Sequence, residues 1–382
     1  MKKIRVAVLY GGRSGEHEVA LRSAASVINN LDRAKFEIVP IGIDKNGKWH
    51  LADPALLQQQ TVSLPIYRNL PEVVLPSNPG GTETGVVALK PTDLASGGAG
   101  KASTAFDVVF PVMHGTNGED GTVQGLLELA EVAYVGCGVL ASAVGMDKDV
   151  AKRLIAAEGL PVVPSFCIRG SEWGAKKSTF AARAEKEFGY PCFVKPANSG
   201  SSVGVHKVKS AADFAPAVAD ALRYDTKVLV EKAISAREIE LSVLENAKYG
   251  EAPLVSVAGE INPTHEFYSY EAKYLDENGM TMKIPADITK EQLTFAQDVA
   301  RRAFTALECE GLARVDLFLD KNDGKIYFNE VNTMPGFTSI SMYPKMWEAS
   351  GVPYGELLTK LIELAIARKE RRAALVRDFT QK

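Results

Sequence analysis

Two stretches near the C-terminal end carry the residues best suited to chemistry. They are Arg314-Val-Asp316-Leu-Phe-Leu and Tyr327-Phe-Asn329-Glu330-Val-Asn332-Thr-Met-Pro-Gly336. Each joins a short apolar segment to hard oxygen ligands: Gly311–Val315 leads to Asp316, and Ile326–Phe328 leads to Glu330 and Asn332. Residues two apart on a strand share a face, so Glu330 and Asn332 point the same way. A hairpin turning at Asp320–Gly324 brings Asp316 to that face. No His or Cys accompanies them. Two carboxylates and an amide suit Mg²⁺ bridging nucleotide phosphates better than zinc or iron.

Upstream, Asn198-Ser-Gly200-Ser201-Ser202-Val-Gly204 lies between two apolar segments. Such a loop can turn successive backbone N–H groups toward an anion, although most small-residue turns are only hairpin connections. Lys195 stands just before it and can reach α- or β-phosphate oxygens as a point charge. The loop does not match GxxxxGK[ST], so a P-loop is not supported, and GxGxxG is not followed either. Glu231-Lys232 ends a further apolar segment. With the backbone of Ala233 and Ile234 it suits adenine recognition; taken alone it reads as a surface ion pair.

These residues need a scaffold. A chain of 382 residues implies two or three domains. Apolar content of 46%, charged content of 24% and a net charge of −3 describe a soluble globular protein with nothing to draw it to nucleic acid or an anionic membrane. No apolar run approaches a membrane span. The basic N-terminus leads at once to Gly11-Gly12-Arg13 and Glu16-His17-Glu18, so it reads as a first strand rather than a secretion signal. Four scattered cysteines read as small core residues in a reducing compartment. Strand Ile4–Tyr10, helix Glu18–Asn30 and strand Phe36–Ile43 predict an α/β unit with parallel strands. From about residue 46 to 104 the texture predicts an irregular, partly mobile insertion with a few short strands. Strand Asp107–Met113 and helix Thr122–Ala130 complete the unit. An α+β pattern follows: helix Met146–Glu158, strand Val162–Ile168, helix Thr179–Phe188, strands Cys192–Pro196 and Val205–Val208, helix Ala211–Leu222 and strand Lys227–Lys232. A last unit has strands Ile239–Leu244 and Leu254–Glu260, a long loop, helix Lys290–Leu307, the hairpin and a terminal helix. Its tail, Lys369–Arg377, reads as a solvated face.

In order, Lys195, Gly200-Ser-Ser-Val-Gly, Glu231-Lys232, Arg314-Val-Asp316 and Asn329-Glu330-Val-Asn332 resemble the ATP-grasp superfamily. More narrowly, nearly the whole chain resembles the D-alanine–D-alanine ligase family. The matching elements are Tyr10-Gly-Gly-Arg-Ser-Gly-Glu16-His17-Glu18, His114-Gly115 with Gly118-Glu119-Asp120-Gly121, Met146-Asp147-Lys148, Tyr270-Glu271-Ala272-Lys273-Tyr274 and Asn332-Thr-Met-Pro-Gly336 with Ser341. The insertion at about 46–104 departs from the shorter members.

The resemblance implies an α/β N-terminal domain at 1–137 and two ATP-grasp subdomains at 138–234 and 235–382. It implies ligation of two D-alanines through D-alanyl phosphate for peptidoglycan, with ATP and two Mg²⁺ (or Mn²⁺); D-lactate or D-serine acceptors are the alternative. Asp316, Glu330 and Asn332 would hold metal. Lys148, Lys195, Ser202, Glu231, Lys232, Ala233, Ile234, Glu238, Phe267, Lys273, Asn329 and Glu330 would hold the nucleotide. Glu16 would anchor the first substrate's ammonium, and it also suits the dipole of the helix behind it. Arg314 and the Gly336 N–H would face the oxyanion, and Ser341 with Lys273 the second carboxylate. Tyr274 would close a lid over Asn262–Pro285 by bonding toward Glu16 and Ser201. His114 is a structural partner before it is a general base, and His17 and His265 carry less still. A cytoplasmic homodimer is expected.

Overall fold

The computed structural model describes residues 2–52, 62–66, 72–77, 84–89, 104–263 and 280–376. Its first sheet is built around Ile4–Gly11 (β1), an apolar run without polar alternation. Val6, Val8 and Tyr10 enter one core, while Ala7 and Leu9 enter another. A strand buried on both faces belongs inside a covered sheet. β1 pairs in parallel with β2 (Phe36–Ile43) and β7 (Val108–Val112), and β7 pairs in parallel with β8 (Ala133–Tyr134).

The expected parallel sheet proves mixed. Inside the insertion, β3 (Trp49–Leu51), β4 (Glu72–Val74), β5 (Gly85–Ala88) and β6 (Thr104–Ala105) extend it antiparallel, in the order β6-β5-β4-β3-β2-β1-β7-β8. The change starts at a tight turn. Asp44 Oδ1 accepts from the N–H groups of Asn46 and Lys48, and Gly47 takes φ +88°. A turn that short permits only antiparallel neighbours. Residues 53–61, 67–71, 78–83 and 90–103 of the insertion lie outside the described residues.

Helix α1 (His17–Asn30) and the terminal helix Tyr354–Ala373 cover one face of this sheet; α2 (Thr122–Leu129) covers the other. The described part of the tail, residues 369–376, is mostly exposed as expected, with Arg371 and Arg372 half-buried, and the helix is anchored just before it. Buried Arg368 donates to the carbonyls of Tyr134 and Gly136, both at 2.6 Å. Arg371 pairs with Glu245, and Arg372 with Glu310 and Glu128. The contacts of Arg368, and of Arg372 with Glu128, pin the terminal helix to the unit formed by residues 1–137, while Glu245 and Glu310 tie it to the last unit.

The helix expected over Met146–Glu158 is α4 (Lys148–Ala157), and a helix that was not expected, α3 (Val139–Met146), precedes it. Asp147 separates them and caps α4 by accepting from the N–H groups of Asp149 and Val150. Next come β9 (Ser165–Arg169), β10 (Cys192–Pro196), β11 (His206–Val208) and β12 (Lys227–Lys232), an antiparallel sheet in the order β11-β10-β12-β9. Helices α5 (Gly170–Glu187) and α6 (Ala211–Ala221) bury its far face. α5 starts well before the expected Thr179, because buried Trp173 anchors a glycine-bearing turn that looks loop-like in sequence.

The last sheet runs β15-β14-β13-β16-β17, from β13 (Ala236–Leu244), β14 (Leu254–Pro263), β15 (Met280–Lys283), β16 (Leu312–Asp320) and β17 (Ile326–Asn332). Helix Lys290–Ala306 packs on it and opens with a capping box of Thr289 and Gln292. Asp316 lies in mid-strand rather than at the strand end that its sequence pattern suggests. A further helix, Met342–Ala349, was not expected.

A bulge in the β16–β17 pair decides the chemistry. Asp316 faces Glu330, but the next pair is Leu317 with Phe328, so Asn329 is the extra residue. Uninterrupted alternation would place Ile326, Phe328, Glu330 and Asn332 on one face. Ile326 and Phe328 belong to the core. The inserted residue reverses the alternation, so Phe328 stays inside while Glu330 and Asn332 turn to the opposite face.

Candidate functional site

Across the bulge, the register sets Arg314 against Asn332 and Asp316 against Glu330. Arg314 holds Asp316 with two parallel bonds, Nε to Oδ1 and Nη2 to Oδ2, each 2.7 Å. Its Nε also lies 3.1 Å from Glu240 Oε2 on neighbouring β13. Nη1 makes none of these contacts. Burial alone would lower the guanidinium's pKa, but Asp316 and Glu240 outweigh it and drive it well above its usual range. Asn332 Oδ1 accepts from the Met334 N–H at 3.1 Å and keeps a second lone pair. Among the described residues no three His, Cys, Asp or Glu side chains cluster as a metal cage. The donors present, two carboxylates and an amide, are hard oxygen ligands of the kind that suit a divalent cation whose shell is completed by oxygens from a ligand.

Helix α4 supplies the cations. Lys148 and Lys152 are one turn apart and share a face. Lys148 Nζ is 3.0 Å from Glu330 Oε2 and donates to the Ser199 carbonyl at 2.9 Å. Lys152 Nζ is 2.9 Å from Glu231 Oε2, while Lys195 Nζ donates to Glu231 Oε1, also at 2.9 Å. One buried carboxylate thus serves two lysines. Burial would raise Glu231's pKa, but Lys152 and Lys195 outweigh it and hold the group at about 2. For Lys195, burial is outweighed by Glu231 and the pKa rises. For Lys152, burial wins and the pKa falls. The base of α4 is locked as well. Lys227 Nζ contacts Asp147 at 2.5 Å and Asp149 at 3.1 Å, and the Lys148 N–H donates to the Ala197 carbonyl.

The glycine loop follows Lys195. Ser201 and Ser202 both take positive φ, 50° and 59°, which non-glycine residues rarely adopt. A Cβ on Gly200 would sit 2.8 Å from Glu16 Oε1. The acid at the N-terminus of α1 and the loop between β10 and β11 are therefore in contact. The Glu16 carboxylate has no cationic partner among the described residues.

The segment 333–341 closes the site. His114 Nδ1–H donates to the Met334 carbonyl at 3.0 Å, and Nε2 lies 2.9 Å from Ser23 Oγ, which accepts the Phe337 N–H. Both ring nitrogens are thus spent on holding the loop, which favours structural over general-base duty for His114. One ring nitrogen of His17, Nδ1, is spent as well, donating to the Gly12 carbonyl. Glu119 lies 3.7 Å from His114, and burial pushes its carboxyl pKa up. Between the anchored residues, the Gly336 N–H has no acceptor among the described residues. Ser341 precedes helix Met342–Ala349 but does not cap it with its side chain. Its Oγ accepts from the Thr338 N–H at 3.0 Å, lies 2.8 Å from Thr338 Oγ1, and would be 2.6 Å from a Cβ on Gly336.

Lys232 is exposed beside Ala233 and Ile234 in the connection from β12 to β13; Glu238 lies on β13, paired with Phe318 of β16. Phe267, Lys273 and Tyr274, with most of the expected lid and His265, lie outside the described residues. Lys152, Ser23, Glu240 and Lys227 were missed by sequence reasoning. Spacing from Lys148 by four was the one available signal for Lys152; the others join the site only through the fold.

An α/β sheet followed by two antiparallel sheets that enclose lysines, a glycine loop and opposed carboxylates is the ATP-grasp architecture. Two family models match, D-ala D-ala ligase N-terminus over residues 5–137 and D-ala D-ala ligase C-terminus over residues 154–363. The chain belongs to the D-alanine–D-alanine ligase family. It is 54% identical over 380 residues to D-alanine–D-alanine ligase A of Bradyrhizobium diazoefficiens, with 99% of each chain covered. It is 48% identical over 376 residues to the D-alanine–D-alanine ligase of Heliobacterium modesticaldum, with 98% of each covered. The solved D-alanine–D-alanine ligase of Coxiella burnetii superposes with a TM-score of 0.80 at 36% identity, covering 99% of this chain and 98% of that one. The VanG D-Ala:D-Ser ligase of Enterococcus faecalis gives 0.80 at 35% identity, covering 95% and 100%.

Proposed function

We propose that this chain joins two D-alanine molecules at the expense of ATP, releasing ADP and phosphate, and so supplies D-alanyl-D-alanine for peptidoglycan. The contact between Glu16 and Gly200 carries this reading. It sets a carboxylate that has no cationic partner among the described residues, suited to an amino acid's ammonium, against the loop that follows the phosphate-facing Lys195. Residues 1–137 bring the amino-acid anchor, 138–234 the loop and lysines, and 235–382 the carboxylates and the closing loop.

The chemistry takes two steps. A carboxylate oxygen of the first D-alanine attacks the γ-phosphorus of ATP, and the bond to the ADP oxygen breaks. Lys148 and Lys195 neutralise the anions brought together. The amine of the second D-alanine, having lost a proton, then attacks the carbonyl carbon of D-alanyl phosphate. The tetrahedral oxyanion collapses and phosphate leaves. Arg314, whose Nη1 is uncommitted in the pairs above, and the Gly336 N–H are the oxyanion donors; both are held in advance by neighbours, as such donors must be. Ser341 at a helix N-terminus suits the second carboxylate. Asp316, Glu330 and Asn332 are the residues that would hold two Mg²⁺ (or Mn²⁺), which supply charge neutralisation on the phosphates. Glu231 reaches two lysines with its carboxylate, so adenine falls to the backbone near Ala233 and Ile234, with Lys232, and ribose to Glu238. Ser202 and Asn329 complete the nucleotide set, and Phe267, Lys273 and Tyr274 the lid.

D-serine is the second acceptor to consider, because a D-Ala:D-Ser ligase superposes as well as a D-Ala:D-Ala ligase. The residue after Ser341 favours D-alanine: Met342 is buried against Ile261 and Met346 and offers no polar group to an extra hydroxyl. Among the described residues no helix is long and apolar enough to cross a membrane. We place the enzyme in the cytoplasm as a homodimer, which sedimentation tests. The deciding assay is coupled ADP release with D-alanine, L-alanine, D-serine and D-lactate, with product identification. D-alanyl-D-alanine is the expected main product. ADP release that ignores D-alanine overturns the reading.

A further inference from the structure

Lys152 has no role in the chemistry above, yet it is among the most enclosed charges in the protein. Its side chain is 4% exposed, and Nζ finds no hydrogen-bond acceptor in good geometry among the described residues. What it has is a close ionic contact, 2.9 Å to Glu231 Oε2. A buried ammonium held by one shared carboxylate is costly to keep, so its presence calls for a use.

The geometry of its neighbours suggests one. Glu231 is 3% exposed and bridges Lys152 to Lys195. Lys195 is the more open lysine, at 12% exposure. Its Nζ lies 5.6 Å from the Phe193 ring on β10 and 5.9 Å from the Phe318 ring on β16, between the two antiparallel sheets. Of the two, Lys195 is therefore the one free enough to turn toward a ligand between these sheets, and Lys152 is too enclosed to do so. When Lys195 turns to a phosphate, Glu231 loses one of its two partners. A lone buried carboxylate would pull Lys195 back, because stranding it is strongly unfavourable.

We infer that Lys152 is the counter-ion that keeps Glu231 paired while Lys195 engages nucleotide phosphate, so that it sets phosphate affinity without touching the ligand. The inference rests on the ATP-dependent reading given above. It makes Lys152 a positioning residue. With Lys152 present, the buried trio carries one net positive charge. Without it, Lys195 and Glu231 cancel, and the lysine is sequestered. Helix α4 then serves two sheets at once. Its Lys148 meets a carboxylate of the last sheet, and Lys152, a turn further on, meets one of the middle sheet.

The test compares ligands with and without phosphates. Calorimetric Kd values for ATP, ADP and adenosine are measured on the full-length protein, with melting curves as a folding control. Lys152→Met should weaken ATP and ADP by roughly ten- to a hundredfold, the range for contacts to a charged group, and adenosine by much less. Adding Glu231→Gln to Lys152→Met restores one net positive charge and should recover most of the ATP loss. A purely structural lysine predicts equal weakening of ATP and adenosine and no recovery in the double variant; either result overturns the inference. If Lys152→Met does not fold, Lys152→Gln, which keeps a polar group against Glu231 but loses the charge, carries the same comparison. Wild-type protein that binds neither ATP nor ADP refutes the function proposed above. Wild type that binds both, with an unchanged ratio in the variants, refutes only the role of Lys152.

Discussion

Arg314 offers the sharpest separation of structural from chemical effects. Arg314→Ala removes both bonds to Asp316 and the contact to Glu240, whose side chains are only 13% and 6% exposed. Breaking one buried pair costs about 3–5 kcal/mol. The arginine itself is 19% exposed, so the lower end, about 3 kcal/mol, is the expected destabilisation at pH 7. Losing the guanidinium makes it easier for Asp316 and Glu240 to take up protons, so the deficit should shrink as pH falls and widen as it rises. Separately, an oxyanion donor is worth about 2.7–4 kcal/mol, so kcat should fall by roughly two to three decades. Arg314→Lys divides the two effects. An ammonium keeps the charge but not the planar fork, so stability should largely return while kcat stays at least about tenfold down. The assay is steady-state ADP release beside thermal melts at several pH values. A kcat for Arg314→Ala within about threefold of wild type would refute the oxyanion role. Full recovery of kcat in Arg314→Lys would show that charge alone matters.

Three further outcomes follow from the same geometry. Glu330→Gln removes an anionic ligand and the partner of Lys148, and should collapse turnover at limiting Mg²⁺ while circular dichroism stays native; wild-type turnover there would end the metal assignment. Gly200→Ala puts a methyl group 2.8 Å from Glu16 Oε1 and should raise KM for D-alanine about tenfold or more with little change in melting; unchanged KM would count against Glu16 as the ammonium anchor. Glu231 has a folded pKa of about 2 against 4.5 for the free group, so the stability it confers is complete above about 4.5 and lost as pH falls toward 2, up to about 3 kcal/mol; Glu231→Gln should flatten acid unfolding in that window, and an identical acid limb would contradict the two-lysine clamp.

Much of this site was legible because strands and loops are local. The apolar segments before Asp316 and Glu330 and the glycine run after Lys195 announce themselves by composition, and Phe36–Ile43, Cys192–Pro196 and Lys227–Lys232 are strands with the bounds their patterns predict. The hairpin that sets Asp316 opposite Glu330 was also readable from its turn. The bulge at Asn329 was not, because an inserted residue leaves no mark in an apolar pattern until the partner strand is known. Asp147 fell inside the expected helix, yet it caps α4 with its own side chain and is held there by Lys227 from a distant strand. The same limit hid how the expected terminal helix is anchored: buried Arg368 meets the carbonyls of Tyr134 and Gly136, which no local pattern shows. Local rules expose local chemistry, and contacts between units must be seen.

The central claim is that the first D-alanine is activated as an acyl phosphate. It is tested most directly by supplying D-alanine labelled with ¹⁸O in its carboxylate, together with ATP, and weighing the products. The account predicts that D-alanyl-D-alanine forms, that released phosphate carries one labelled oxygen from the carboxylate, and that ADP carries none. Unlabelled phosphate, or label in AMP, would contradict it.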